Sequence, residues 1–146
     1  MITRRALMAL ITVVAAVGAA PPPPPAVLTL TIAAGPDQNP DPSGRPAPVA
    51  IRLFELNGTA KFERADVFAL TEHEQQTLGE EGQGSEEFVL RPGETRTLTR
   101  ELKKGVQFVG IAVLFDRSRW RVVAPVGVSG PTKLTLQING LNATLA

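Results

Sequence analysis

The sequence has no cysteine and no tyrosine, one histidine and one tryptophan. Without cysteine there is no disulfide, no thiolate nucleophile and no cysteine-ligated zinc. His73 lies between Glu72 and Glu74. With no second histidine or cysteine it completes no zinc or nucleophile–base set, and it reads as a surface residue. An excess of charge is missing too. The 146 residues carry a net charge of +1, and without Arg4 and Arg5 the rest holds 13 basic against 14 acidic side chains, a balance of −1. No basic field for nucleic acid exists. The acidic pairs Glu80-Glu81 and Glu86-Glu87 are sequence neighbours, so on a strand they point to opposite faces and read as solvated surface. Gly127-Val128-Ser129-Gly130 resembles the start of a nucleophile elbow. Pro131 stands where the closing glycine belongs and a strand pattern follows, so the motif fails. Neither a catalytic constellation nor a cofactor or metal site emerges, and a non-enzymatic chain is expected.

What is present is ordinary globular composition, 43% apolar and 20% charged, in a length suited to one domain with one core. Residues 1–20 have the layout of a secretory signal. Arg4 and Arg5 precede an uncharged stretch from Ala6 to Ala20, and Val17-Gly18-Ala19 offers small residues for cleavage. A membrane-spanning helix needs about 20 apolar residues, more than this stretch supplies. Residues 21–26 begin with five consecutive prolines, a polyproline II spacer of about 15 Å. The folded domain is expected over 27–146.

That domain reads as strands. Leu28, Leu30 and Ile32 alternate with Thr29 and Thr31. Val49, Ile51 and Leu53 form one face of a second strand, and Arg52, Phe54 and Leu56 the other. Thr71-x-x-Glu74 has a capping-box spacing and Gly79 is a stop signal, which predicts a short helix over Glu72 to Leu78. Phe62, Val67, Phe68 and Leu70 are candidates to pack with it on Phe54. Glu86–Arg91 and Glu94–Leu102 flank the turn dipeptide Pro92-Gly93 and predict a hairpin, its second strand largely solvent-facing. Val106–Phe115 is apolar on both faces, as a central strand is. Arg119–Ala124 alternates around Trp120, a predicted core residue. Lys133–Asn139 alternates through Leu134, Leu136 and Ile138, and Asn139-Gly140 leads into a last short strand over Leu141–Ala146. The fold class is all-β: a β-sandwich of about eight strands with a short helical insertion.

Between the first two strands lies PDQNPDPSGRPAP, with prolines at 36, 40, 42, 46 and 48. A proline-stiffened polar loop backed by a strand loses little entropy on binding, which marks it as a contact loop. Asp37, Asn39, Asp41 and Ser43 set oxygens at alternate positions, as calcium loops do. An EF-hand needs glycine at position six and glutamate at twelve, where Pro42 and Pro48 stand, so turn chemistry is the better account. The sequons at Asn57 and Asn142 carry little weight.

Four blocks, DQNPDPSGRPAPVAIRLFEL, FERADVFAL, EEFVLRPGETRTL and WRVVAPV, together resemble the type VI secretion outer-membrane lipoprotein family, TssJ, over Leu28 to Leu145. The resemblance implies a periplasmic sandwich of transthyretin-like type, tethered to the outer membrane by a lipidated N-terminal cysteine. It implies as partner the periplasmic C-terminal domain of the inner-membrane subunit TssM, with the loop between the first two strands implicated in contact. Carried onto this chain, that loop is Pro36 to Pro48, and the expected contact residues are Asp37, Asn39, Pro40, Asp41, Ser43, Gly44, Arg45 and Pro46. The chain departs from the family at the lipidation site, where Ala20 replaces cysteine. Outer-membrane association then falls to another component or to an uncleaved hydrophobic segment. A secreted module for a small ligand or carbohydrate is the alternative function, although a single tryptophan and no tyrosine supply few stacking surfaces.

These readings predict that the exported protein begins near Ala20 and incorporates no labelled palmitate. N-terminal sequencing and fluorography check both; lipid label on the chain, or cytoplasmic protein with Met1 intact, would contradict them.

Overall fold

A computed structural model describes Gly18 and residues 20–146, so almost all of the expected export segment lies outside the described residues. Pro21 to Pro25 are exposed and lead directly into the first strand. Eight strands follow: β1 Ala26–Ala34, β2 Val49–Leu56, β3 Gly82–Leu90, β4 Thr95–Glu101, β5 Phe108–Leu114, β6 Trp120–Pro125, β7 Gly130–Asn139 and β8 Asn142–Leu145. They form two four-stranded sheets, ordered β4-β1-β7-β8 and β3-β2-β5-β6, which is the expected sandwich.

The period-two pattern of β1 decides which side faces inward. Leu28, Leu30 and Ile32 are buried in the main core. Leu30 lies opposite Leu98 of the antiparallel β4 and opposite Leu134 of the parallel β7. On the outer face Thr31 is registered between Thr97 and Thr135, and its hydroxyl is 3.3 Å from that of Thr97. β-Branched neighbours of this kind suit a pleated, half-exposed surface. From the second sheet Val49, Ile51, Leu53, Val109, Ile111 and Val113 meet the first across the core.

β2 and β5 are covered on their other face as well. Three short helices, α1 Ala60–Arg64, α2 Val67–Glu72 and α3 Glu74–Leu78, lie over them. Phe62, Val67, Leu70 and Leu78 make a second apolar cluster with Phe54, Leu56 and Ala112. Phe62 meets Phe54 edge-on, with ring centroids 5.3 Å apart, a favoured aromatic geometry. Polar contacts fix the insertion at α1 and α2. Arg121 donates to the carbonyls of Phe62 (3.0 Å) and Glu63 (2.6 Å), and Arg52 donates to that of Thr71 (2.7 Å).

Four expectations are corrected here. The insertion is three helices, not one. Asp66 caps α2 by accepting from the Ala69 amide, whereas the Thr71 hydroxyl bonds back to the Val67 and Phe68 carbonyls and caps nothing. His73 breaks α2 from α3 at φ −135°, ψ 47°. Phe68 turns outward at 62% exposure, because the buried stripe of α2 is taken by Val67 and Leu70. Trp120 packs against the core but is only partly buried, since β6 is a sheet edge. Finally, β3 and β4 are not a hairpin. Pro92-Gly93 does form a tight turn, with Gly93 at φ 78° and the Glu94 amide on the Arg91 carbonyl (3.1 Å), but it carries the chain from one sheet to the other. Turn dipeptides report a reversal, not pairing. The two edge strands are joined by side chains instead: Arg96 donates to the Val89 carbonyl (3.1 Å) and Arg100 pairs with Glu86 (3.0 Å).

Gly110 of β5 lies under the Phe62 ring, and a Cβ there would come within 2.6 Å of it. Gly110→Ala should therefore cost about 1–3 kcal/mol by overpacking. In a Phe62→Ala background, where the obstructing ring is gone, the same change should cost almost nothing. Urea titration of the four proteins of this cycle measures the coupling.

Candidate binding loop and its buried root

The chain from Gly35 to Pro48 crosses from β1 in the first sheet to β2 in the second. It lies at the end of the sandwich opposite Pro25, because β1 runs from one end to the other. Gly35 starts it in close quarters. Its amide donates to the Ile138 carbonyl at 2.7 Å, and a Cβ on it would lie 2.5 Å from that same oxygen.

Two amide side chains then go inward. Gln38 is 0% and Asn39 1% exposed, and they are the buried polar residues among those described. Buried amides are stable only when hydrogen-bonded. Gln38 Nε2 donates to the carbonyls of Leu90 (2.8 Å) and Ala47 (3.3 Å), and its Oε1 has no partner among the described residues. Asn39 is more fully engaged. Its backbone amide donates to Gly140 O (2.8 Å) and its Nδ2 to Pro48 O (2.9 Å), while its Oδ1 accepts from the Asp116 amide (3.0 Å). Alone among the described non-glycine residues it has a positive φ, 47°. Asparagine tolerates that region better than other side chains.

Beyond this root the loop is a self-contained turn. Asp41 Oδ1 accepts from the Ser43 amide (2.8 Å), the Ser43 hydroxyl (2.6 Å) and the Arg45 amide (2.9 Å). The backbone closes the turn through Asp41 N to Arg45 O and Gly44 N to Asp41 O, both 2.8 Å, with Gly44 at φ 84°. The Ser43 hydroxyl, chiefly, and the Arg45 amide hold the Asp41 carboxyl below the usual aspartate range; burial opposes them and the positive charge of Arg117 adds to them. Pro42, Ser43, Gly44, Arg45 and Pro46 are exposed, and Pro40 is half-buried.

The eight residues expected from sequence therefore divide. Asp41, Ser43, Gly44, Arg45 and Pro46 form one compact tip. Asp37 is exposed beside the root, and Asn39 faces the interior. Of the alternating oxygens, Asn39 Oδ1 and Asp41 Oδ1 accept from protein donors. Among the described residues no three His, Asp or Glu side chains gather to hold a metal. Sequence reasoning passed over Gln38 and the partners Asp116 and Gly140, whose roles are set by pairings distant in the chain. A groove of about 390 Å³ beside α3, lined by Glu74, Gln75, Gly79, Gln83, Gly84 and Lys103 among others, is polar and lacks an aromatic floor. It is a poor small-ligand site.

Comparison with known proteins settles the family. The model described as "Type VI secretion lipoprotein, VasD, EvfM, TssJ, VC_A0113" matches residues 26–141. The chain belongs to this family. No curated protein matches it. The crystal structure of the T6SS lipoprotein TssJ1 from Pseudomonas aeruginosa is similar at 34% identity and TM-score 0.77, over 84% of this chain and 98% of that one. A chain of a structure described as "Type VI membrane complex" is similar at 26% identity and TM-score 0.73, over 83% and 98%. One in "T6SS protein TssM C-terminal domain (869-1107) from EAEC" shares the fold at 24% identity and TM-score 0.69, over 83% and 98%. This chain is thus a member of the type VI secretion lipoprotein family, and its described fold is the sandwich of the TssJ1 structure. Its sequence contains no cysteine to carry a lipid.

The tip's turn is tied to ionised Asp41. Its folded pKa is lowered, so the order it gives is present above the usual aspartate range and is lost as pH falls through the lowered value. A carboxyl carbon titration followed by NMR should place Asp41 below ordinary aspartates, and Ser43→Ala should move it back up.

Proposed function

We propose that this chain is a non-enzymatic assembly subunit that binds the periplasmic C-terminal domain of TssM through the loop tip Asp41–Pro46, at the inner face of the outer membrane. Family membership supports a place in the membrane complex. One observation supports the loop in particular: an exposed turn held by three hydrogen bonds to Asp41 Oδ1 stands on a buried root. A turn already ordered loses less entropy on docking than a mobile one. Arg45 offers a fixed-charge, forked donor suited to a carboxylate or carbonyl on the partner.

The same geometry divides the loop for testing. Asn39 is buried and hydrogen-bonded at three points, so a replacement block that includes it disturbs the fold as well as the surface. Replacing Asp41–Pro46 alone with glycine and serine should change stability by about 1 kcal/mol or less beyond the loss of proline stiffening. Affinity for the TssM domain should fall by about tenfold or more, since ordering the loop adds to the lost contacts. Calorimetry of the wild type, the replacement and Arg45→Ala against the purified TssM domain decides. Unchanged affinity in the replacement, with the fold intact, places the interface elsewhere on the sandwich.

A further inference from the structure

We infer that Asn39, with Gln38 beside it, is a positioning latch: a residue buried away from any partner that sets partner affinity by fixing how the tip is presented. The affinity part rests on the binding role proposed above; the positioning part does not.

Four separate pieces of chain meet at Asn39 and Gln38. Its amide nitrogen holds the β7–β8 turn at Gly140, its Oδ1 holds the start of the β5–β6 turn at Asp116, and its Nδ2 holds the loop's own far end at Pro48. Gln38 adds the end of β3 at Leu90 and a second contact on the loop's return at Ala47. Three of these pieces, the β3 end and the two turns, belong to strands other than the pair the loop connects. The tip that follows makes its hydrogen bonds within Asp41–Arg45. Its internal shape is therefore its own, but its position relative to the sandwich is inherited from the root. The root is also particular about residue type. The left-handed backbone admits asparagine, aspartate or glycine with little strain. Of these, only asparagine can both accept from the Asp116 amide and donate to the Pro48 carbonyl.

Those three residues make the test. Asn39→Gly keeps the backbone and loses both side-chain bonds. Asn39→Asp keeps the acceptor and loses the donor. Amide hydrogen exchange on the full chain in detergent reads the latch without any partner. Asn39→Gly should speed exchange at Asp116 about tenfold, the effect of losing one or two ordinary hydrogen bonds. It should also loosen Ala47, whose amide donates to the Gln38 carbonyl, while Arg45, bonded within the tip, and core amides at Ile51 and Ile111 stay protected. Asn39→Asp should retain most protection at Asp116 and lose it toward Pro48. Affinity for the TssM domain should fall about tenfold in Asn39→Gly, mainly through slower association, and partly recover in Asn39→Asp. If Asp116 is released and Ala47 exchanges as before, the loop does not depend on Asn39 and the latch is refuted. If Asp116 and Ala47 loosen and affinity holds, while the Asp41–Pro46 replacement abolishes binding, the link from position to affinity is refuted. If that replacement leaves binding intact too, the proposed interface fails and the exchange result stands alone. Should Asn39→Gly not fold, the exchange and affinity of Asn39→Asp decide between the same outcomes.

Discussion

The parallel pairing of β1 with β7 is the constraint on which the rest of this sandwich depends. Nine registered pairs, Ala26–Gly130 through Ala34–Ile138, join the first strand to the seventh. Parallel neighbours need a crossover between them. Here the crossover contains β4 of the same sheet, the helices and the whole second sheet. The Gly35–Pro48 loop, the helical insertion and the turn at Pro92-Gly93 are all parts of that one connection, so each is placed by a pairing between residues far apart in sequence. Chains of this kind gain little from local contacts until the long-range ones form.

That dependence marks where sequence reasoning worked. Alternation over Leu28–Ile32, Val49–Leu56 and Leu134–Ile138 names the inward faces, because a residue's side of a strand is a local property. The double-sided run at Val106–Phe115 marks β5 as interior for the same reason. Partnership is not local. Glu86–Arg91, Pro92-Gly93 and Glu94–Leu102 have every feature of a hairpin, and only the demand of β1 for an antiparallel neighbour shows why β4 leaves β3. Trp120 illustrates a milder form: its strand was legible, its position at a sheet edge was not.

The loop divides along the same line. Proline content and Asx-turn chemistry made the tip readable, since Asp41, Ser43 and Arg45 bond among themselves within five residues. The root was not readable. Nothing near Gln38 or Asn39 in the sequence mentions Leu90, Asp116 or Gly140. An asparagine in such a stretch looks like one more turn former, and its burial appears only once three other segments are folded around it.

β1 has the proline run at one end and the loop at the other, and between them it is a strut. Nine residues of strand span about 30 Å, and five extended prolines before them add about 15 Å. Both pieces resist bending, the strand because it is paired on each edge and the prolines because their φ is fixed. The separation between Pro21 and the end of β1 is thus set by the backbone. A change of chemistry before Pro21 leaves the length of such a strut, and the direction in which it carries the loop, as they are.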